Sequence, residues 1–263
     1  MAKKRTLSDY YQHQPANKRR KLMQDDNQTS KDDMKHNVNG NRLPENCMDI
    51  SKLKGIEHKW EDNATVLFYE KFLDSIRSKK LFDELIKLNY EQGEFKMFGK
   101  TVKTPRLQSW MRDDGLLNKN ADLYQSQEGY SWSNKMLYVK NSVEKLVNCT
   151  FNYVLINYYR DGSDYIGWHH DKEARPKCKN IVVSVSLGGT RKFYFRHRKW
   201  KEKKIAKKEF KLNDGCLVIM KDDTQKEWKH TVPKSKKPQK PRINLTFRQQ
   251  CRGCAQCSKR KRK

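Results

Sequence analysis

Alternation of apolar and polar residues dominates the chain from about residue 150 onward. Residues 150–159, TFNYVLINYY, read as a strand that runs into a turn at Asp161 and Gly162. Residues 181–187, 191–196, 207–212 and 216–220 are further short β-rich runs, separated by Gly188 and Gly189 or by the Asn213, Asp214, Gly215 turn. Within residues 242–248, alternation sets Arg242, Asn244, Thr246 and Arg248 on one face and Ile243, Leu245 and Phe247 on the other. Upstream, residues 65–72 are strand-like, and a helix starts near Asp74 or Ser78 with Leu81, Phe82, Leu85 and Ile86 as its apolar face. A second, short helix has Asn141 as its cap, Glu144 three residues later, and Val143, Leu146 and Val147 turned inward. The pattern predicts a mainly β (α+β) fold: an antiparallel sheet, closed or sandwiched, with flanking helices.

Sustained periodicity is missing from residues 1–60, which are rich in Lys, Asp, Asn and Gln, and a disordered basic tail is expected there. The folded domain is expected over residues 61–249, with a Cys-containing basic tail over residues 250–263. Lys and Arg number 58 against 31 Asp and Glu, a net charge of +27 over 263 residues. A surplus of that size points to a polyanionic partner, by default nucleic acid; mere solubility is the blander reading, but it would carry self-repulsion for no purpose. No run reaches the length of a membrane span, and the start lacks the apolar core of a secretory signal. Seven scattered cysteines, an odd number, read as reduced intracellular thiols. A monomer without membrane contact is expected.

The candidate chemistry lies in residues 157–173, NYYRDGSDYIGWHHDKE. His169 and Asp171, two apart on a strand or its extension, point to the same side, as two ligands of one divalent metal must. His230, in EWKHTVP, is the plausible third ligand, completing the two-His, one-carboxylate set that leaves positions open on non-haem Fe(II). Taken alone, H-x-D with a distant His is more often a set of solvated or hydrogen-bonded polar residues. The face bearing Arg242, Asn244, Thr246 and Arg248 changes the balance, because two guanidiniums facing inward are costly unless they meet an anion. A small dicarboxylate suits them, since Arg pairs with carboxylates through two parallel hydrogen bonds. A zinc hydrolase could use the same three ligands, but it would leave Arg242 and Arg248 without a purpose.

Four segments together carry a family resemblance: N-x-Y at Asn157 and Tyr159, D-G-x-D-x-I-G-x-H-x-D-x-E from Asp161, W-x-H-x-V-P from Trp228, and P-R-x-N-L-T-F-R from Pro241. The chain resembles the AlkB family of Fe(II)- and 2-oxoglutarate-dependent dioxygenases from about Thr65 to about Gln249, most of all its nuclear DNA-repair members. The resemblance implies a double-stranded β-helix (jelly-roll) core with a nucleotide-recognition lid and the metal at its open mouth. It implies Fe(II) on His169, Asp171 and His230, with 2-oxoglutarate chelating the metal and dioxygen as co-substrate. Arg242 and Tyr159 would hold the far carboxylate, Arg248 and Asn157 would serve the end near the metal, and Asn244 and Thr246 complete the cofactor face.

The family's activity would be removal of alkyl groups from DNA bases such as N1-methyladenine and N3-methylcytosine, by base flipping, with release of formaldehyde, succinate and carbon dioxide. Residues 105–132 would form the lid, and Tyr130, Trp132 and the His169 ring would hold the flipped base, with Glu173 at its polar edge. An alkylated base is cationic, so a Trp face attracts it beyond ordinary stacking. Met97, Phe98, Gly99 and Lys100 match the finger that fills the gap left by the base in the duplex-specific homologue. Duplex DNA is therefore the favoured substrate. Trp168 and the Pro105, Arg106, Leu107 run are closer to the single-strand homologue, which keeps a single-strand DNA or RNA demethylase as the alternative; a catalytically silent DNA-binding relative ranks lower. Basic loops at residues 196–208 and 234–240 would grip phosphates near the mouth.

Basic clusters at Lys3, Lys4, Arg5 and at Lys18, Arg19, Arg20, Lys21 are spaced like a bipartite nuclear import signal, so a nuclear protein is expected. Between them, Leu7, Tyr10 and Tyr11 are similar to peptides that dock on sliding clamps, although Lys4 stands where such peptides carry Gln. Cys251, Cys254 and Cys257 could bind zinc, but four ligands are the rule and no fourth is near; reduced thiols are the better reading.

Overall fold

The computed structural model describes residues 47–97, 99–113, 129–171 and 181–249, with only the backbone at 95–97. Three layers follow from the periodicities. Seven antiparallel strands form the middle layer, in the order β1 (Ile56–Trp60), β2 (Ala64–Tyr69), β11 (Leu217–Asp222), β8 (Val182–Gly188), β13 (Arg242–Arg248), β6 (Tyr153–Tyr159) and β5 (Leu107–Arg112). A four-stranded antiparallel sheet lies against one face, ordered β10 (Lys208–Leu212), β9 (Arg191–His197), β12 (Trp228–Val232) and β7 (Ile166–His169). Helices α1 (Ser75–Leu85) and α2 (Asn134–Val147) cover the other face.

Alternation divides the core between these layers. Val183, Val185, Leu187, Ile243, Leu245 and Phe247 point to the helices and join Leu81, Leu85, Met136, Val139 and Val143 in the larger apolar cluster. Between the sheets, Val66, Val182, Val218 and Met220 meet Phe193, Phe195 and Trp228. This sheet-on-sheet packing with flanking helices is the expected mainly β architecture.

Gly188 and Gly189 form the expected turn, and each is there for space. Gly188 sits at φ +81° with the Pro241 carbonyl 2.7 Å from where a Cβ would stand, and the Lys240 carbonyl lies 2.2 Å from the corresponding point at Gly189. That close approach fixes where β13 begins.

The first helix starts at the earlier of its two expected positions, capped by Asp74, whose side chain accepts from the Arg77 amide (2.8 Å). Other expectations move. Ile86, expected on its apolar face, is the C-cap and is exposed. The second helix starts seven residues before the expected cap: the Ser133 side chain accepts from the Met136 amide, and Asn141 lies inside the helix. Its buried residues Met136, Val139 and Val143 recur at helical spacing, beginning ahead of the expected cap. Glu144 serves the other end, accepting from the Phe151 amide at 2.6 Å. Residues 56–60, assigned to the tail, form edge strand β1, with Trp60 packed on Trp228 (ring centroids 4.8 Å). Residues 107–112, assigned to the lid, are edge strand β5, in register with β6 from Leu107↔Tyr158 to Arg112↔Tyr153.

Candidate metal centre and dicarboxylate pocket

Pairing of β7 with β12 sets His169 directly opposite His230, with ring centroids 4.2 Å apart. Asp171 follows β7 by two residues, and its Oδ2 lies 3.7 Å from His230 Nε2. One ligand atom from each of the three residues falls within 4.8 Å of the others, the distance over which one metal ion is shared. The neighbours set each ligand's orientation. His169 Nδ1 is 2.8 Å from the Gly167 carbonyl, so it carries the proton and leaves Nε2 for a metal. Asp171 Oδ1 accepts from Arg248 Nη2 at 2.5 Å, which leaves Oδ2 on the side of His230.

Burial gives these groups the charges a metal site needs. It pushes His230 down to about 3 and lowers His169, so both imidazoles are neutral near pH 7. Burial would raise Asp171, but the Arg248 guanidinium beside it outweighs that and holds the carboxyl below its usual range. Gln225, on the one-turn helix α3 (Thr224–Glu227), accepts from the Asp171 amide (2.9 Å) and places its own amide 3.5 Å from Asp171 Oδ2. Gln225→Ala is therefore expected to weaken ferrous binding about 10- to 100-fold without unfolding the chain. Titration of the apoprotein with Fe(II) under nitrogen measures this, and an unchanged affinity would remove Gln225 from the site.

A second group, Asp62, His197 and Glu227, has ligand-like spacing. There the Lys199 amide donates to His197 Nδ1 (3.1 Å), so His197 Nε2 keeps its proton and faces Asp62 at 2.7 Å. Lys203 also pairs with Asp62. That group is an ion-pair cluster joining the β1–β2 turn to the end of β9.

Beside the triad, the inner face of the large sheet is polar in consecutive rows. Gln108, Asn157, Asn244 and Ser186 lie abreast on β5, β6, β13 and β8; Tyr159 lies beside Arg242 in the next row. Arg242 is wholly buried, donating through Nη2 to Ser186 Oγ (2.8 Å) and Asn244 Oδ1 (2.7 Å). Its Nε and Nη1 are buried without a hydrogen-bond partner. The Arg242 and Arg191 guanidiniums both lie near the Tyr159 ring, 5.2 and 5.6 Å from its centroid. Burial lowers the pKa of both, and Arg242 adds repulsion at Arg191. Buried guanidinium nitrogens without a partner fit a carboxylate, so the donor set suits a dicarboxylate.

Residues 65–248 match the family model of the 2OG-Fe(II) oxygenase superfamily. The chain is 36% identical to the human DNA oxidative demethylase ALKBH2 over 192 residues, covering 70% of this chain and 71% of that protein. The bovine ALKBH2 is 35% identical, with 70% of this chain and 66% of the relative covered. The mouse alpha-ketoglutarate-dependent dioxygenase alkB homolog 3 is 30% identical, with the same two shares. The chain belongs to the AlkB family. The solved structure of OsALKBH1 aligns with a TM-score of 0.53 at 18% identity, over 74% of this chain and all of that one, which supports the fold. As an AlkB-family member the protein is an Fe(II)- and 2-oxoglutarate-dependent dioxygenase, and the His169, Asp171 and His230 cluster suits the ion the family uses.

The AlkB-like positions do not all converge. Asn157 points into the pocket, but its Oδ1 accepts from Arg106 Nε (2.9 Å) and Gln108 Nε2 (2.8 Å). Asn244 and Thr246 brace the face: Ser184 donates to Asn244 (2.9 Å), which donates to Thr246 Oγ1 (2.9 Å). Tyr130 and Trp132, expected beside His169, lie across the sheet from it. Trp132 stacks parallel to Phe247, centroids 6.4 Å apart, and donates to Asp113 (2.9 Å); the Tyr130 hydroxyl accepts from the Asn89 amide (2.9 Å). The cause is alternation in β13, where Phe247 faces the helices and Arg248 the metal centre. Aromatic side chains that do share the inner face near Arg248 are Trp110 and Tyr153, packed with Leu155. Glu173 lies outside the described residues. In the finger region, β3 (Glu94–Met97) and β4 (Lys100–Lys103) make a separate hairpin with Gly99 at φ +75° and open space around it. Gly99 and Lys100 are exposed at its tip; Phe98 lies outside the described residues, as does the Met97 side chain.

Proposed function

We propose that the protein is an oxidative demethylase of nucleic acid, acting on N-alkylated bases such as N1-methyladenine and N3-methylcytosine in DNA, duplex DNA foremost. The observation that carries this reading is the wholly buried Arg242, with two unpartnered nitrogens, on the strand whose Arg248 pairs with Asp171 of the His169, Asp171 and His230 triad. When bound, a ferrous ion with 2-oxoglutarate and dioxygen would supply the oxidation, yielding succinate and carbon dioxide and, from the methyl group, formaldehyde.

The chain's own residues have distinct parts. His169, Asp171 and His230 hold the metal, and Arg248 and Gln225 fix which Asp171 oxygen faces it. Arg242 and Tyr159 take the far carboxylate. Asn157, held by Arg106 and Gln108, ties the pocket to the strand that leads into the lid. A base must leave its stack to reach the metal, and an alkylated base that cannot pair has already lost part of what holds it. The charge of +27 supplies attraction to phosphates, with Lys234, Lys236 and Lys237 on the loop after β12.

The decisive assay is formaldehyde release from methylated oligonucleotides with and without iron and keto acid; no release from duplex or single strand would reject the reading. Phe98→Ala is expected to slow duplex repair about tenfold while changing single-strand repair less than twofold, because an inserted ring offsets unstacking only in a duplex. Equal losses on the two substrates would reject the finger. The basic clusters before residue 22 and the Leu7, Tyr10, Tyr11 segment lie outside the described residues; we assign them to nuclear import and clamp docking. Loss of clamp capture on changing Tyr10 and Tyr11 to Ala tests the latter. A monomer is proposed.

A further inference from the structure

We propose that Trp168, Arg196 and Trp200 form a stacking platform for an unpaired nucleobase on the outer face of the four-stranded sheet, a site for single-stranded nucleic acid outside the metal centre. The proposal rests on the nucleic-acid reading above and deepens it.

Alternation in β9 buries Phe193, Phe195 and His197 and turns Tyr194 and Arg196 outward, away from the core between the sheets. There the Arg196 guanidinium lies 4.4 Å from the Trp168 ring centroid and 5.4 Å from that of Trp200. Among the described residues no carboxylate pairs with Arg196, so two indoles are what position it. Trp200 is not a stray loop residue. Its amide donates to the His197 carbonyl (3.2 Å) and its carbonyl accepts from the Ile205 amide (3.0 Å), which fixes the turn around it. Its side chain nonetheless remains 38% exposed. Trp168 immediately precedes His169 on β7, so its side chain leaves the opposite face of the strand and the platform lies on the outer surface of the four-stranded sheet.

The surroundings select the occupant. Lys201 Nζ lies 5.6 Å from the Trp200 ring, and Lys207 Nζ 3.7 Å above Tyr194, the next outward residue on β9. Lys199 and Lys204 are exposed on the same turn. A phosphate grip alone would use the lysines and Arg196 but has no use for an exposed indole at Trp200. A nucleobase uses both: its π-face stacks on an indole or on the guanidinium plane while the cations neutralise its phosphates. Bases inside a duplex present their edges rather than their faces, so the platform favours a strand that is already open.

The test is fluorescence anisotropy of the full-length chain with unmodified single-stranded oligothymidine and with a blunt duplex of equal length, without iron or keto acid. Trp200→Ala is expected to weaken single-strand binding at least about fivefold, with the slope of affinity against salt unchanged, and to leave duplex binding within about twofold. Trp200→Phe should restore most of the loss. Trp200→Leu, which keeps apolar bulk without a π-face, should behave as the Ala variant and replaces it if that variant does not fold. Unchanged single-strand affinity, equal losses on both nucleic acids, a reduced salt slope, or rescue by Leu would each overturn the platform. Because the oligonucleotides carry no lesion, a protein that releases no formaldehyde from methylated DNA yet shows the Trp200 effect would fail as a demethylase and keep this site.

Discussion

His230→Ala is expected to bind no ferrous ion at micromolar concentrations and to form succinate at least about 10³-fold more slowly than the parent chain. The loss is large because, among the described residues, three ligand atoms converge at the site and His230 supplies one of them; Asp171 Oδ1 is engaged by Arg248, and the His169 ring is fixed by Gly167. The substitution should leave nucleic-acid affinity almost intact, since His230 is buried and the basic surface is elsewhere. Turnover and metal content measured on the same preparation decide it. Retained succinate formation would mean that the oxidising centre is not built on His230.

Arg242→Met separates cofactor binding from folding. A dicarboxylate held by two charge-assisted hydrogen bonds loses them together, so the KM for 2-oxoglutarate should rise about 10²-fold or more. The apoprotein should melt no lower than the parent, because a wholly buried guanidinium with two unpartnered nitrogens costs stability until an anion meets it. Adding 2-oxoglutarate should then raise the melting temperature of the parent but not of the variant. A KM within about threefold of the parent value would reject Arg242 as the carboxylate anchor.

Much of this site could be read from residue order. The alternation of Arg242, Asn244, Thr246 and Arg248 was legible because a strand buried on both faces can carry polar side chains only where they are used, and all four are buried on one side. The triad was legible once His169 and Asp171 were placed on a strand extension. Ser184 and Ser186 were not, because two small hydroxyls in VVSVSLG pass for part of an apolar run. Gln225 acts on a residue 54 positions away, a relation no local pattern contains. The misplacement of Trp132 has the same origin: its partner Phe247 lies on a strand 115 residues later, and which face a side chain meets is settled by that strand. Strand β1 was hidden because it is an edge whose mostly exposed side chains show no period-two pattern, and β5 because its four consecutive buried residues, 108–111, mix polar and apolar types without alternating.

Strand β13 is hydrogen-bonded on both sides, to β6 and to β8, and carries the cofactor face on one surface and the helix-side core on the other. One strand thus serves two tasks, and a substitution that shifts the register of β13 disturbs the polar face and the helix-side core together.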